Sequence, residues 1–307
     1  MSNVSHKNQS DTNLYLIASC FVLPLSAVII FINTIIIIGI AFNKKLHTTT
    51  NYFFLSLLFA DFFTGVALPF IPRMLMTQGF QYGKCLFIFI CPNFFFLSFL
   101  ANLVMVHYER YLYIVHPLHY ACSWVQRYVY GVLLVVWVLP LIYACLPAFG
   151  WNGWANDNNS CSTKFLPSAY IYLENYVFLL PGIFATAVMT YRVLSIARKQ
   201  LHDIQKLHRA VNRGGISEAE QKMTLRHAKC TAAVTVVFLL CWVPYIAYIQ
   251  VIPLTLRLYV NESTHVILSC VGSGSAAIMP LIVGLSNKQY TELWRNLFRN
   301  RCKCWVR

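Results

Sequence analysis

Residues 84–115 read KCLFIFICPNFFFLSFLANLVMVHYERYLYIV, an apolar run that carries a charged pair near its end. The run exceeds the roughly 20 residues that an α-helix needs to cross a bilayer. Glu109 and Arg110 form the pair, and Tyr111 follows them. Charged groups beside lipid cost free energy, so they commonly mark function. This stretch therefore predicts a membrane-spanning helix, and the three side chains near its end are candidates for a functional role.

The rest of the chain has the same apolar character. Of the 307 residues, 58% are hydrophobic and only 11% are charged. Lipid offers no hydrogen bonds to an open backbone, so each spanning segment has to be helical. We predict an all-α membrane protein, a bundle of seven transmembrane helices followed by a short amphipathic helix 8. The expected helices are 14–42, 50–77, 84–115, 124–147, 168–197, 217–253 and 264–285.

The charges predict the orientation of this bundle. The chain has 24 Lys+Arg and 10 Asp+Glu, a net charge of +14. Most basic residues lie in the connections after the first, third and fifth helices and in 286–307. The positive-inside rule therefore places the tail 1–13 outside and 286–307 in the cytosol of a multi-pass plasma-membrane protein. Attraction to anionic membrane lipids accounts for the basic excess better than nucleic acid does.

Four Asn-x-Ser/Thr triplets fall on the predicted outer side and are candidate glycosylation sites. They begin at Asn3, Asn8, Asn158 and Asn261.

Cys85 and Cys161 lie on the predicted outer side, where an oxidising compartment favours a disulfide over two free thiols. Cys302 and Cys304 follow the basic amphipathic stretch 288–301 and are candidate sites of palmitoylation. No cofactor or metal is expected, and no Gly-x-Ser-x-Gly or His-Glu-x-x-His motif indicates an enzyme.

Motifs spread over the helices carry a family resemblance. They are Asn33, Leu57–Asp61, Glu109-Arg110-Tyr111, Trp137, Pro181 and Cys241-Trp242-Val243-Pro244. In this pattern the chain resembles the rhodopsin-like G-protein-coupled receptors. The resemblance implies a heterotrimeric G protein as partner and a switch formed by Glu109, Arg110, Tyr111, Trp242 and Pro244. Simple ion pairing and aromatic packing are the structural alternatives for these residues.

The seventh helix departs from the family pattern. Met279-Pro280-Leu281-Ile282-Val283 stands where the family usually has Asn-Pro-x-x-Tyr. Phe99 and Met279 occupy positions that often carry polar ligands, so no ordinary sodium site is expected at Asp61. We expect Asp61 to pair instead with Asn33 or Ser275.

The sequence excludes some classes of ligand, and helical spacing indicates which residues line the ligand site. Pro92 stands where amine receptors place an aspartate, so a cationic amine would lack its counter-ion. No lysine lies between Arg257 and Lys288, so retinal has no lysine to which it could bind in the seventh helix. A moderately sized, largely apolar ligand remains. Residues three and four apart share a helix face, and a few polar groups in an apolar pocket are typical of ligand sites. The candidate ligand-binding residues are Phe89, Asn93, Phe96, Glu174, Trp242, Tyr245 and Ser273. Interhelical hydrogen bonding is the alternative for the polar ones.

Four stretches, 90–103, 146–152, 170–174 and 290–295, resemble the G-protein-coupled bile acid receptors. This closer resemblance implies a bile-acid-like steroid ligand, a steroid acid or alcohol sulfate, and a stimulatory G protein that raises cyclic AMP. Phe89 stands where those receptors have a tyrosine. Gly79 occupies the place of the basic residue expected near the acidic tail of the ligand, and Arg73 and Lys84 are candidate substitutes for it. A receptor for another lipid or steroid, and a transporter or channel, are the alternatives.

Overall fold

The computed structural model describes residues 2–70, 81–120, 122–155, 165–211, 217–251 and 262–286. The long elements among them are all helices. They are α1 (Ser2–Phe42), α2 (Thr49–Ala67), α3 (Tyr82–Val115), α4 (Val129–Ala144), α5 (Ser168–Glu174, Asn175–Leu179 and Leu180–Val211), α6 (Ser217–Tyr245 and Ile246–Val251) and α7 (Glu262–Ser286). The predicted all-α fold is confirmed.

Within the part of the chain that the structure describes, six helices are long and apolar enough to cross a membrane. These spans are Cys20–Phe42, Thr49–Ala67, Tyr82–Val115, Ser168–Lys199, Ala228–Tyr248 and Ile267–Gly284. Pro117–Arg127 and Val129–Ala144 make a seventh if this bent pair is one span. Large apolar side chains such as Phe184 and Leu240 remain exposed on the bundle surface. Such exposure is unfavourable in water, and it is the arrangement expected of helices that face lipid.

The first helix differs from its expected bounds. It begins at Ser2 rather than near residue 14, so most of the segment expected to be a tail is helical. The sequence explains the extension, because neither glycine nor proline occurs before Pro24 to end the helix. Hydropathy marks only where the apolar part begins, and it does not mark where a helix starts.

The helices form a closed arrangement around α3. α1 packs against α2 and α7, α6 packs against α5 and α7, and α3 contacts α2, α4, α5 and α6. The main buried cluster draws Leu58 from α2, Phe99 from α3 and Phe238 from α6. α1 and α2 approach closely at Gly65, where a Cβ atom would lie 2.8 Å from Cγ2 of Ile29.

The two helices that flank the candidate site each contain a π-helical turn near a proline. α5 widens into a π-helical turn over Asn175–Leu179, just before Pro181, and α6 does so over Ile246–Val251, just after Pro244. In α5, Pro181 has no N–H and its ring clashes with the carbonyl of Val177, which lies inside the π turn, so the regular ladder is interrupted there. Such π turns often occur at functional sites.

Candidate functional site

A polar cluster joins α3 to α5. The amide Nδ2 of Asn93 donates a hydrogen bond to the hydroxyl of Tyr170 at 2.8 Å and lies 3.4 Å from Oε2 of Glu174. Tyr170 and Glu174 are both buried, and Glu174 is only 4% exposed. Burial of a carboxylate is expensive unless polar groups surround it. Asn93 and Glu174, which are candidate ligand-binding residues, are therefore in direct contact.

Tyr170 is a member of this cluster that the candidate set omits. Its ring stacks on Tyr143 with centroids 4.7 Å apart, and the Tyr143 hydroxyl donates to the Tyr170 carbonyl at 2.6 Å. These contacts fix the ring that accepts the hydrogen bond from Asn93. The sequence held one signal for it, because Tyr170 precedes Glu174 by four residues and so lies on the same helix face.

Aromatic rings continue the site from α3 to α6. The ring centroids of Phe96 and Trp242 lie 4.5 Å apart, and Tyr245 packs edge-on against Trp242 at 5.6 Å. The indole Nε1 of Trp242 donates to the Ser275 hydroxyl at 2.8 Å. α7 can approach the indole because Gly272 has no side chain, and a Cβ there would lie 3.0 Å from Cε3 of Trp242.

Two candidates lie apart from these contacts. Phe89 stacks on Phe165 with centroids 5.0 Å apart, next to Cys85 at the start of α3. Ser273 is buried in α7, two residues before Ser275. Cys85 is disulfide-bonded, and Cys161, its predicted partner, lies outside the described residues.

A further contact at the start of α7 was not predicted from the sequence. The rings of Tyr245 and His265 stack with centroids 5.9 Å apart and an interplanar angle of 29°. The Tyr245 hydroxyl lies 3.5 Å from Nε2 of His265, and Ser269 donates to the His265 carbonyl at 2.7 Å. A histidine near a helix end carries no distinctive sequence pattern, so only the packing of α6 on α7 identifies it.

The other end of α3 holds the charged pair. Nε of Arg110 lies 3.8 Å from Oε2 of Glu109, and the Glu109 side chain is 1% exposed. The hydroxyl of Tyr120, from the short helix Pro117–Tyr120, donates to Oε1 of Glu109 at 2.7 Å, and the hydroxyl of Thr50 donates to the same oxygen. Tyr111 is directed elsewhere, toward Nε2 of His116 at 3.3 Å. Glu109 is therefore held by two hydroxyl groups as well as by the guanidinium.

The expected pairing of Asp61 is wrong. Its two carboxylate oxygens are buried without a hydrogen-bond partner among the described residues. Nδ2 of Asn33 donates instead to the carbonyls of Ile29 and Ala276. The hydroxyl of Ser275 donates to the Gly272 carbonyl and accepts the bond from Trp242. The groups expected to bind Asp61 are engaged by backbone and indole.

Several residues that the sequence analysis singled out lie outside the described residues. They are Asn158, Asn261, Arg73 and Gly79, together with residues 287–307 that include Cys302 and Cys304. Lys84 is described, and its side chain is exposed at the start of α3.

The geometry agrees with what comparison with known proteins finds. The family model of the seven-transmembrane receptors of the rhodopsin family matches residues 32–282. The chain belongs to this family. It is therefore a multi-pass membrane receptor with seven transmembrane helices, which disfavours the transporter and channel alternatives.

Among individual receptors, the chain is similar to the G-protein coupled bile acid receptor 1 of several mammals. The Bos taurus protein is 41% identical over 276 residues, which cover 89% of this chain and 82% of the relative. The Homo sapiens protein is 40% identical over the same shares. The histamine H2 receptor of Rattus norvegicus is 25% identical over 288 residues, covering 88% of this chain and 75% of the relative. The expected resemblance to the bile acid receptors is confirmed.

Proposed function

We propose that this receptor binds bile acids or closely related steroid acids and alcohol sulfates, and that it activates a stimulatory G protein to raise cyclic AMP. The observation that carries the proposal is the contact of half-buried Asn93 with buried Glu174, next to the stacked rings of Tyr170 and Tyr143. A steroid nucleus is apolar and carries few hydroxyl groups, so it needs such a surface with few polar anchors. The bile acid receptors among the relatives support the same class of ligand.

Each proposed ligand-binding residue has a chemical role in this proposal. Asn93, Glu174 and Ser273 pair with steroid hydroxyls, because a buried polar group left without a partner weakens binding. The rings of Phe96, Trp242 and Tyr245 cover the apolar nucleus. Phe89 lines the outer end of the site, where it stacks on Phe165.

The signal then passes along α6. A ligand that presses on Phe96 displaces Trp242, with which it is in ring contact. Pro244 removes a backbone hydrogen bond from α6 beside Trp242, so the helix can bend there. The cytoplasmic end of α6 can then move outward. Arg110 then leaves Glu109 and engages the G protein, with Tyr111 beside it. Val283 cannot supply the phenol that supports this arginine in other family members, so its support comes from other residues.

The same proposal includes the arrangement in the plasma membrane. Residues 1–13 lie outside, 14–285 form the bundle, and 286–307 form helix 8 and the tail in the cytosol. Asn3, Asn8, Asn158 and Asn261 are then accessible to glycosylation, and Cys85 is joined to Cys161. The distribution of basic residues supports this orientation.

The test is cyclic-AMP production in cells that display the full chain and receive a panel of bile acids, bile alcohol sulfates and other steroids. We expect a concentration-dependent rise with bile acids or bile alcohol sulfates that untransfected cells lack. A response only to another steroid or lipid would favour the alternative ligand class. No response to any bile acid or alcohol sulfate, with the receptor shown at the surface, would overturn the ligand assignment.

A further inference from the structure

His265 lies at the end of a series of ring contacts that runs along the proposed ligand site. Its Nε2 is 3.5 Å from the Tyr245 hydroxyl, and the two rings are stacked. Tyr245 in turn packs on Trp242, which contacts Phe96. The imidazole is therefore continuous with the aromatic surface proposed for the steroid.

The position of His265 along α7 separates it from the hydroxyl-binding groups. It precedes Ser273 by eight residues, which corresponds to about 12 Å along the helix axis toward the extracellular end. A bile acid is elongated, with hydroxyls on its ring system and its anionic group at the end of a side chain. A ligand whose ring hydroxyls lie near Asn93, Glu174 and Ser273 would extend its side chain in the direction of His265.

The chemistry of the imidazole suits an anion. Neutral imidazole has one N–H donor, and the protonated ring has two donors and a positive charge. The distance of 3.5 Å to the Tyr245 hydroxyl is at the limit for a hydrogen bond, so this contact leaves the ring able to bind a stronger acceptor. His265 is half-buried, whereas Lys84 is exposed at the start of α3. A half-buried donor discriminates between charged and neutral ligands more strongly than an exposed lysine does.

We propose that His265 binds the carboxylate or sulfate at the end of the ligand side chain and so determines the preference for anionic steroids. Tyr245 is a positioning residue that holds the imidazole ring through the stacked contact. This proposal rests on the proposed function and assigns a binding residue to the acidic end of the ligand, which the aromatic surface alone leaves unassigned.

The test compares a bile acid with the same steroid whose carboxylate is converted to a primary amide, on cells that display the full receptor. In His265→Leu we expect the bile acid to lose about 10-fold or more in potency, as for a lost hydrogen bond to a charged group. The amide should lose less potency than the acid, because a neutral hydrogen bond is weaker than one to a charged group. His265→Lys, which supplies an N–H donor that carries a charge, should recover the preference for the acid.

The outcomes separate this proposal from the function on which it rests. Equal losses for acid and amide in His265→Leu, or equal potencies in the wild type, would show that His265 does not select the anion and would overturn the inference alone. A wild type that responds to neither ligand would overturn the proposed function and this inference together. Ile267→Leu, on the exposed face of the same helix, serves as the control and should leave both potencies unchanged.

Discussion

Nε2 of His107 lies 2.7 Å from the hydroxyl oxygen of Thr235, a hydrogen bond that joins α3 to α6. The same hydroxyl lies 2.7 Å from that of Thr190 on α5, so one network connects three helices. All three side chains are buried. His107 precedes Arg110 by three residues, which places the network one turn from the charged pair. An outward movement of α6 has to break these bonds.

Thr235→Val should therefore raise basal cyclic-AMP production. The change keeps the shape of the side chain and removes the hydroxyl, so the resting arrangement loses the two buried hydrogen bonds that this hydroxyl makes to other helices, besides its bond to the Thr231 carbonyl. At about 0.5–1.5 kcal/mol each, the resting state is disfavoured by roughly 5-fold or more. The measurement is agonist-free cyclic AMP at matched surface expression. Val236→Ala changes the neighbouring exposed position and is the control; unchanged basal signalling in Thr235→Val would contradict the role of the network.

Tyr120→Phe should also increase basal signalling, by a separate route. The substitution removes one of the two hydroxyls that donate to Oε1 of Glu109. A buried carboxylate with fewer donors is less stable, and a hydrogen bond to a charged group contributes about 1.5–3 kcal/mol. Tyr113→Phe is a matched control, because the Tyr113 ring packs edge-on against Tyr120 on the exposed side. Equal basal activity in the two variants would show that Tyr120 does not stabilise the resting state.

Glu174→Ala and Asn93→Ala should each lower the potency of a hydroxylated bile acid about 10-fold, as for a lost buried hydrogen bond to a charged group. Because the two side chains are in contact, the double variant should lose less than the product of the single effects. Concentration–response curves for all four receptors form the cycle. Tyr172→Phe, on the exposed side of α5, controls for nonspecific effects. Unchanged agonist potency in Glu174→Ala would remove this anchor from the proposed site.

The bundle could be predicted from sequence because lipid imposes one requirement on every spanning segment, that the backbone bonds be satisfied within the helix. Hydropathy therefore locates α3 closely, and motifs such as Glu109-Arg110-Tyr111 indicate the family. The start of α1 was missed because a polar helix leaves no hydropathy signal. Prediction fails in a different way at Asp61, whose expected partners Asn33 and Ser275 bind other groups.

In the candidate site, too, some contacts could be predicted from the sequence and others could not. The depth of Asn93 and Glu174 follows from counting residues along helices, and the two side chains do meet. Tyr170 and His265 were missed because their contacts depend on how α5 and α6 rotate against their neighbours. That rotation is set by packing, including the π turns near Pro181 and Pro244. The rotation of one helix against another leaves no periodic pattern in a single sequence, so it could not be predicted.

Gly272→Ala should reduce the maximal response to agonist, because the added methyl occupies the space that the indole of Trp242 requires. The new Cβ would lie 3.0 Å from Cε3 and 3.1 Å from Cδ2 of Trp242, closer than ordinary van der Waals contact. Overpacking of this kind costs about 1–3 kcal/mol and moves the ring or the helix. The resulting shift also disturbs the bond from the indole to Ser275, so Trp242 no longer transmits the displacement of Phe96. Gly274→Ala is a close control, since a Cβ there meets nothing within 4 Å. Cyclic-AMP curves at matched surface expression give the maximal response, and equal maxima in the two variants would show that the close approach of α7 to Trp242 has no part in signalling.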